Sequence, residues 1–108
     1  RTIMIIMLAD YIFRAIQNNT DCDVICEHSQ KDELTEVIRR VRRWQFRDGI
    51  ELMCSEETET AVQTGDEQCP EQWIVWSVAG DTEKKVSPQH KEFFSLCQQR
   101  YWLKIQMA

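Results

Sequence analysis

The sequence predicts an α/β domain in which a mixed central β-sheet is flanked by helices, in three layers. Three observations support this fold class. Apolar, β-branched runs alternate with segments whose apolar residues recur every three or four positions, a tight turn separates the last two predicted strands, and 43% of residues are hydrophobic and 29% charged, as in ordinary globular proteins. The 108 residues suffice for one core, so we expect a single domain spanning residues 1–108.

In the first half of the chain, two strands are each followed by a helix. Residues 2–7 are β-branched and apolar and predict a buried strand, and residues 9–18 carry an apolar stripe that predicts a helix. Residues 22–27 predict a second strand, and Ser29 or Asp32 could cap a second helix. The apolar positions of that helix recur at three- and four-residue spacing: Leu34, Val37, Ile38, Val41 and Trp44.

Four arginines fall between the apolar positions of this second predicted helix: Arg39, Arg40, Arg42 and Arg43. We expect them on its solvated face. The chain carries a formal net charge of -5, and no glycine-rich stretch surrounds the arginines, so no nucleic-acid partner is predicted. The N-terminal apolar run ends at Asp10, short of the ~20 residues that span a bilayer, so no membrane association is predicted.

The second half predicts three more strands and two helices. Residues 50–54 follow an Asp-Gly turn signal and predict a strand, and residues 56–63 predict a short helix. Residues 73–78 and 82–86 predict an antiparallel pair joined by a turn at Ala79-Gly80-Asp81. A closing helix is expected to begin at Ser87-Pro88. It is expected to bury Phe93, Phe94, Leu96, Cys97 and Tyr101.

The order of these elements and several local strings resemble the thioredoxin-like superfamily over nearly the whole chain. "LADYIFRAIQNN" resembles the first helix of that family, "AGDT" the turn between its last two strands, and "SPQHKEFF" its final helix. Glu27 ends the strand that the resemblance makes central, and Cys69-Pro70 stands where the family has its cis-proline. The resemblance therefore implies a thioredoxin-like three-layer sandwich with a cis peptide bond at Pro70.

The segment that would carry the redox motif of that family holds no cysteine. It reads "HSQKDEL", and no cysteine occurs between Cys26 and Cys54. Dithiol exchange needs an attacking and a resolving thiol, so the expected function is not redox catalysis. The chain resembles the redox-inactive domains of protein disulfide isomerases, which implies a non-catalytic, chaperone-like binding or scaffolding domain whose partner is an extended peptide or another protein.

The residues expected to form such a binding site are Glu27, His28, Cys69, Pro70 and Trp73. Cys69 precedes the expected cis-proline, where the resemblance implies contact with peptides. Trp73 and Trp76 are three residues apart and do not share one face of a strand, so one of them should be partly exposed. The cysteines and the two histidines lack the spacing of a zinc site, so no metal and no cofactor are predicted.

Two other interpretations remain open. The first is an enzyme that uses a single thiol, Cys69 or Cys26, as its nucleophile. The second is a degenerate receiver-type signalling domain, since "RTIMII" and "DVICEH" also resemble strands of that family, although its phosphorylatable aspartate is missing.

The isomerase-like strings favour the endoplasmic reticulum lumen over the cytoplasm. The sequence begins at Arg1 without an initiating methionine, so we expect a domain of a larger multidomain chain.

Overall fold

The computed structural model describes residues 6–17, 22–59, 71–82 and 84–106. In chain order the elements are β1 (Ile6–Met7), α1 (Leu8–Ile16), β2 (Cys22–Asp32), β3 (Val37–Phe46), β4 (Glu51–Glu59), β5 (Gln72–Ala79), β6 (Val86–Ser87), β7 (His90–Phe93) and α2 (Leu96–Gln106). Strands β2, β3, β4, β5 and β7 form, in that order, one antiparallel sheet, and β1 pairs with β6 in parallel. Neither of these helices is long and apolar enough to cross a bilayer.

Both helices pack against the same face of the five-stranded sheet. Leu8, Tyr11 and Ile12 of α1 are fully buried against it, and Trp102 of α2 lies 5.5 Å from Phe93 of β7, measured between ring centroids. The predicted three-layer α/β sandwich with helices on both faces is therefore wrong. The described residues form two layers, an antiparallel sheet with one covered and one uncovered face.

Along the central strands of the sheet, successive side chains point alternately to the covered and to the uncovered face. On β5, Ile74 and Trp76 are buried under the helices. Trp73, on the same strand, is 45% exposed on the uncovered face. Trp44 of β3 stacks on Trp76 at a centroid distance of 5.6 Å and forms the centre of the core. The strand predicted at residues 73–78 and the partial exposure of one tryptophan are both confirmed.

The segment predicted as the second helix is instead a β-hairpin. β2 continues to Asp32, a turn occupies residues 33–36, and β3 returns antiparallel to it. Valine and isoleucine favour strands, and the arginines of β3 find partners on β4 that a helix would not give them. The ion pairs are Arg39–Glu57, Arg42–Glu56 at 2.6 Å and Arg43–Glu51 at 2.5 Å. The prediction of a solvated arginine face on a helix is therefore wrong.

Two further predictions about the sheet are wrong. The strand beginning at Cys22 is predicted at the centre, but among the described strands it lies at the edge, with β3 as its one neighbour. The sheet is also not the parallel sheet that the receiver resemblance implies.

β4 runs to Glu59, so the start of the helix predicted at residues 56–63 is wrong, and its remainder lies outside the described residues. The expected cis bond at Cys69-Pro70 also falls outside them.

The C-terminal region differs from the prediction because a carboxylate organises its loop. Asp81 accepts hydrogen bonds from the amides of Lys85 and Val86 and from Gln89. Of the described residues in the predicted strand 82–86, Val86 alone lies in a strand, β6, whose partner is β1. Ser87–Pro88 is a cis peptide within this loop and does not begin a helix.

α2 begins at Leu96, nine residues after Ser87, where the sequence predicts the start of this helix. Of the side chains expected to be buried by this helix, Phe93 is buried on β7. The exposed ones are Phe94 at 61%, Leu96 at 39%, Tyr101 at 68% and Cys97.

Candidate functional site

The sheet face that the helices leave uncovered is here called the outer face. Cross-strand pairing aligns its side chains in rows, one of which contains Val41 of β3, Ser55 of β4 and Val75 of β5. The next row contains Arg39, Glu57 and Trp73. A row of two valines and a serine therefore lies beside a row that combines an aromatic ring with an ion pair.

A shallow cleft of about 320 Å³ lies on this face. Its lining residues come from β3, β4, β5 and β7: Arg39, Ser55, Glu57, Trp73, Val75, His90 and Glu92. We call it the central cleft. Because its walls are side chains of four paired strands, its shape depends on the sheet and not on a loop.

Trp73 is held by its edge in the central cleft. Its indole Nε1 donates to Oε1 of Glu92 at 2.8 Å, and Oε2 of the same carboxylate lies 3.1 Å from Nε2 of His90. The hydrogen bond with His90, and next the one from Trp73, lower the pKa of Glu92 below its ordinary value. The carboxylate is therefore ionised at neutral pH, and it fixes a ring of which nearly half remains exposed.

A second cleft, also of about 320 Å³, opens at the end of the sheet and is called the end cleft. Its lining residues are Val37, Glu57, Thr58, Glu71, Gln72, Trp73 and Phe94. It shares Glu57 and Trp73 with the central cleft, so the two are continuous around that tryptophan. Phe94 adds a second aromatic ring, 61% exposed.

The surface around both clefts is predominantly acidic. Arg39 is neutralised by its ion pair with Glu57. Glu71 at the end cleft and Asp32 beside it have no ion pair among the described residues, and the amide of Leu34, donating to Asp32, lowers the pKa of that carboxyl. A ligand that carries positive charge would therefore be attracted to this surface.

The structure separates the residues that the sequence grouped into one site. Trp73 lies in both clefts, whereas Glu27 and His28 are exposed on the edge strand β2. His28 shares the outer face with Trp73 but is three strands away, roughly 14 Å at ordinary strand spacing. Glu27 is on the opposite side, with a 3.9 Å contact to Arg40. Cys69 and Pro70 lie outside the described residues.

Sequence reasoning missed Arg39, Glu57, Glu92 and Phe94 as residues around Trp73. The available signal was the alternation in "WIVWSV", which directs Trp73 and Val75 to one face and Ile74 and Trp76 to the other. Glu57 and Glu92 join the site through cross-strand register, which depends on residues far apart in the chain.

The three cysteines whose side chains the structure describes are in three different states. Cys97 is disulfide-bonded, Cys54 is a buried free thiol, and Cys26 is a half-buried free thiol on the outer face, opposite Arg43. Burial, and next the charge of Glu56, raise the pKa of Cys54 to about 12, so it stays a thiol at neutral pH and is a poor nucleophile. Within the described residues, no cluster of three or more His, Cys, Asp or Glu side chains could hold a metal ion.

On the sheet face opposite the clefts, three polar side chains lie next to the apolar core: Arg42, Glu56 and Gln72. Glu56 accepts from Arg42 through Oε1 and from Gln72 through Oε2 at 3.0 Å, and the Arg42 guanidinium lies 5.0 Å from the ring centre of Trp44. These contacts neutralise a half-buried carboxylate and support the strands from behind. We interpret them as structural.

Comparison of the chain with protein-family models, with curated proteins and with solved structures found no match to any of them.

Proposed function

We propose that this domain is a non-catalytic binding module that holds an extended segment of a partner protein on its outer face. The single observation that carries the proposal is the position of Trp73, which is 45% exposed, belongs to both clefts, and is fixed through its hydrogen bond to Glu92. A large aromatic ring held in one orientation loses little conformational entropy on binding and is a frequent energetic centre of interfaces.

The chemistry of the clefts suggests the composition of the segment. Trp73 and Phe94 offer aromatic surface, while Glu71 lines the same end cleft and has no ion pair among the described residues. A lysine or arginine side chain could place its aliphatic part on the rings and its charge near Glu71, and an adjacent apolar residue could cover Val75. The proposed ligand is therefore an extended polypeptide with a basic residue next to an apolar one.

The same proposal includes no cofactor, no metal and no nucleic-acid partner. The uncompensated carboxylates around the clefts would repel a polyanion. The disulfide of Cys97 supports an oxidising compartment such as the endoplasmic reticulum lumen, because disulfides rarely persist in the cytosol.

Selection from a displayed library of unstructured peptides tests this function. We expect enriched peptides to combine basic and apolar residues, and we expect Trp73→Ala to raise their dissociation constants at least tenfold, as loss of an interface anchor does. Met53→Ala is the matched control. Met53 is 39% exposed and lines neither cleft, so its removal should change affinity less than twofold.

Circular dichroism of both variants checks that the sheet is intact. The proposal is wrong if no peptide is enriched over a library without bait, or if Trp73→Ala and Met53→Ala bind the selected peptides equally well.

A further inference from the structure

The edge strand β2 offers a long row of backbone groups to solvent. One edge of β2 pairs with β3 along Cys22–Asp32. No strand of the described residues pairs with its other edge. Residues 23–32 are all exposed except Cys26, which is half-buried. A long exposed edge is a template for pairing with another strand, and proteins that stay monomeric usually block it.

Two opposite charges are placed symmetrically on this edge. Glu27 and Lys31 lie on the same face of β2, each two residues from Ser29. Glu27 has only the 3.9 Å contact with Arg40, and Lys31 forms no ion pair within the described residues. Both charges are thus available for a partner outside the domain.

We propose that the β2 edges of two copies of this chain pair antiparallel across a twofold axis at Ser29 and join their sheets into one. In this register Glu27 of each copy is opposite Lys31 of the second copy, which gives two reciprocal ion pairs. A shift of the axis by one residue, to His28, would place Glu27 opposite Ser29 and form neither pair. Charge complementarity therefore selects a second copy as the occupant of the edge and selects one register.

Exposed apolar side chains agree with that register. Val24 and Ile25, at one end of the strand, are 51% and 45% exposed, and Leu34, just beyond the other end, is 95% exposed. Antiparallel pairing about Ser29 brings the start of one β2 beside the turn that follows the second copy's β2. Pairing would then reduce the exposure of these side chains below its value in the single chain.

Sedimentation equilibrium of the whole chain tests the proposal by charge reversal. The wild type is expected to dimerise reversibly. Glu27→Lys and Lys31→Glu each replace two attractive pairs with two repulsive ones, so each variant should raise the dimer dissociation constant about tenfold or more. The double variant that exchanges the two charges restores both pairs in reversed order and should recover most of the affinity.

Disulfide trapping tests the register independently. In a Cys26→Ser background, Ser29→Cys places one thiol of each copy at the twofold axis, and mild oxidation should link the copies. Asp23→Cys is the matched control, because residue 23 lies six positions from the axis and should not be linked. A monomer at all concentrations overturns the proposal, whatever other partner the edge binds. A dimer that neither single charge reversal weakens, or that links through residue 23 instead of residue 29, overturns it as well.

Discussion

The indole Nε1 of Trp76 donates a hydrogen bond of 2.7 Å to Oε1 of Gln99, and both side chains are buried. Trp76 is in the core of the sheet on β5, and Gln99 is on α2. Within α2, all of whose residues the structure describes, Gln99 alone is buried. A buried polar contact therefore joins the C-terminal helix to the sheet, beside the apolar packing of Trp102 and Leu103.

We expect Gln99→Leu to destabilise the domain by about 1–3 kcal/mol, because a buried indole N–H would lose its acceptor. Urea denaturation followed by circular dichroism measures this loss. Arg100→Ala, at an exposed neighbouring position, is the control and should change the free energy of unfolding by less than about 0.5 kcal/mol.

The double variant Trp76→Phe/Gln99→Leu separates the hydrogen bond from packing. If the bond is the cause, the effects of the two single variants will not add, since either one already removes it. Additive effects would show that Gln99 acts only by filling space.

The turn after β5 packs against the turn between β3 and β4 at two glycines. A Cβ atom on Gly80 would be 2.8 Å from the carbonyl oxygen of Gly49, and Gly80 has a φ of 76°. Gly49 has a φ of 91° but open space around its Cβ position. Gly80→Ala therefore combines a backbone clash with backbone strain, whereas Gly49→Ala adds strain alone, about 1–2 kcal/mol.

We expect Gly80→Ala to lower the melting temperature clearly more than Gly49→Ala does. Thermal unfolding of both variants measures the difference. Equal losses would mean that the close approach of the two turns contributes nothing to stability.

Tyr11 links α1 to the turn after β3 by donating a 2.5 Å hydrogen bond to Oδ2 of Asp48. Burial, and next this hydrogen bond, raise the pKa of Tyr11 to about 12. In the unfolded chain the phenol ionises near its ordinary pKa of about 10. The stability that comes from keeping Tyr11 protonated is therefore fully present below pH 10 and is lost as the pH rises through about 12.

Denaturation measured between pH 8 and 12 checks this dependence. Tyr11→Phe should be less stable than the wild type at pH 8, because it lacks the hydrogen bond to Asp48. Above pH 10, its free energy of unfolding should fall less steeply than that of the wild type. Tyr101→Phe, at a side chain that is 68% exposed, should keep the wild-type profile. A Tyr11→Phe profile parallel to that of the wild type would contradict the assignment.

Cysteine modification distinguishes the accessible thiol of Cys26, the buried thiol of Cys54 and the disulfide of Cys97. A disulfide reagent at neutral pH should label Cys26 in the native protein, Cys54 only after unfolding, and Cys97 only after reduction. Burial and the raised pKa of Cys54 are the reason for its delay. Mass spectrometry of digested protein identifies each labelled peptide, and the peptide linked to Cys97 before reduction identifies its partner. Fast native labelling of Cys54 would contradict the buried position, and a fast, low-pKa reaction at Cys26 or Cys69 would favour the single-thiol enzyme.

Periodicity predicted some elements correctly because their decisive contacts are local. The apolar stripe of α1 marks a helix whose buried side chains recur at positions 8, 11, 12 and 15. The alternation of "WIVWSV" identified β5 and correctly implied that Trp73 and Trp76 differ in exposure. Of the candidate site, Trp73 was the residue that sequence reasoning could place in the observed clefts.

The hairpin of β2 and β3 shows where local patterns fail. Val37, Ile38, Val41 and Trp44 satisfy a helical repeat, yet they lie on a strand because Arg39, Arg42 and Arg43 meet glutamates of β4 that are 8 to 18 residues away. Strand pairing is a contact between distant segments, so no short window of sequence contains it.

By itself the sequence determined the amphipathic first helix, the alternating strand at β5 and the absence of a paired-thiol motif after Glu27, because each depends on the chemistry of neighbouring residues. Tertiary structure alone decided that both helices cover one face, that β2 is an edge, and that Glu57 and Glu92 surround Trp73. The physical reason is that sheet order, register and layer assignment minimise the free energy of long-range pairing and burial, which local propensity does not encode.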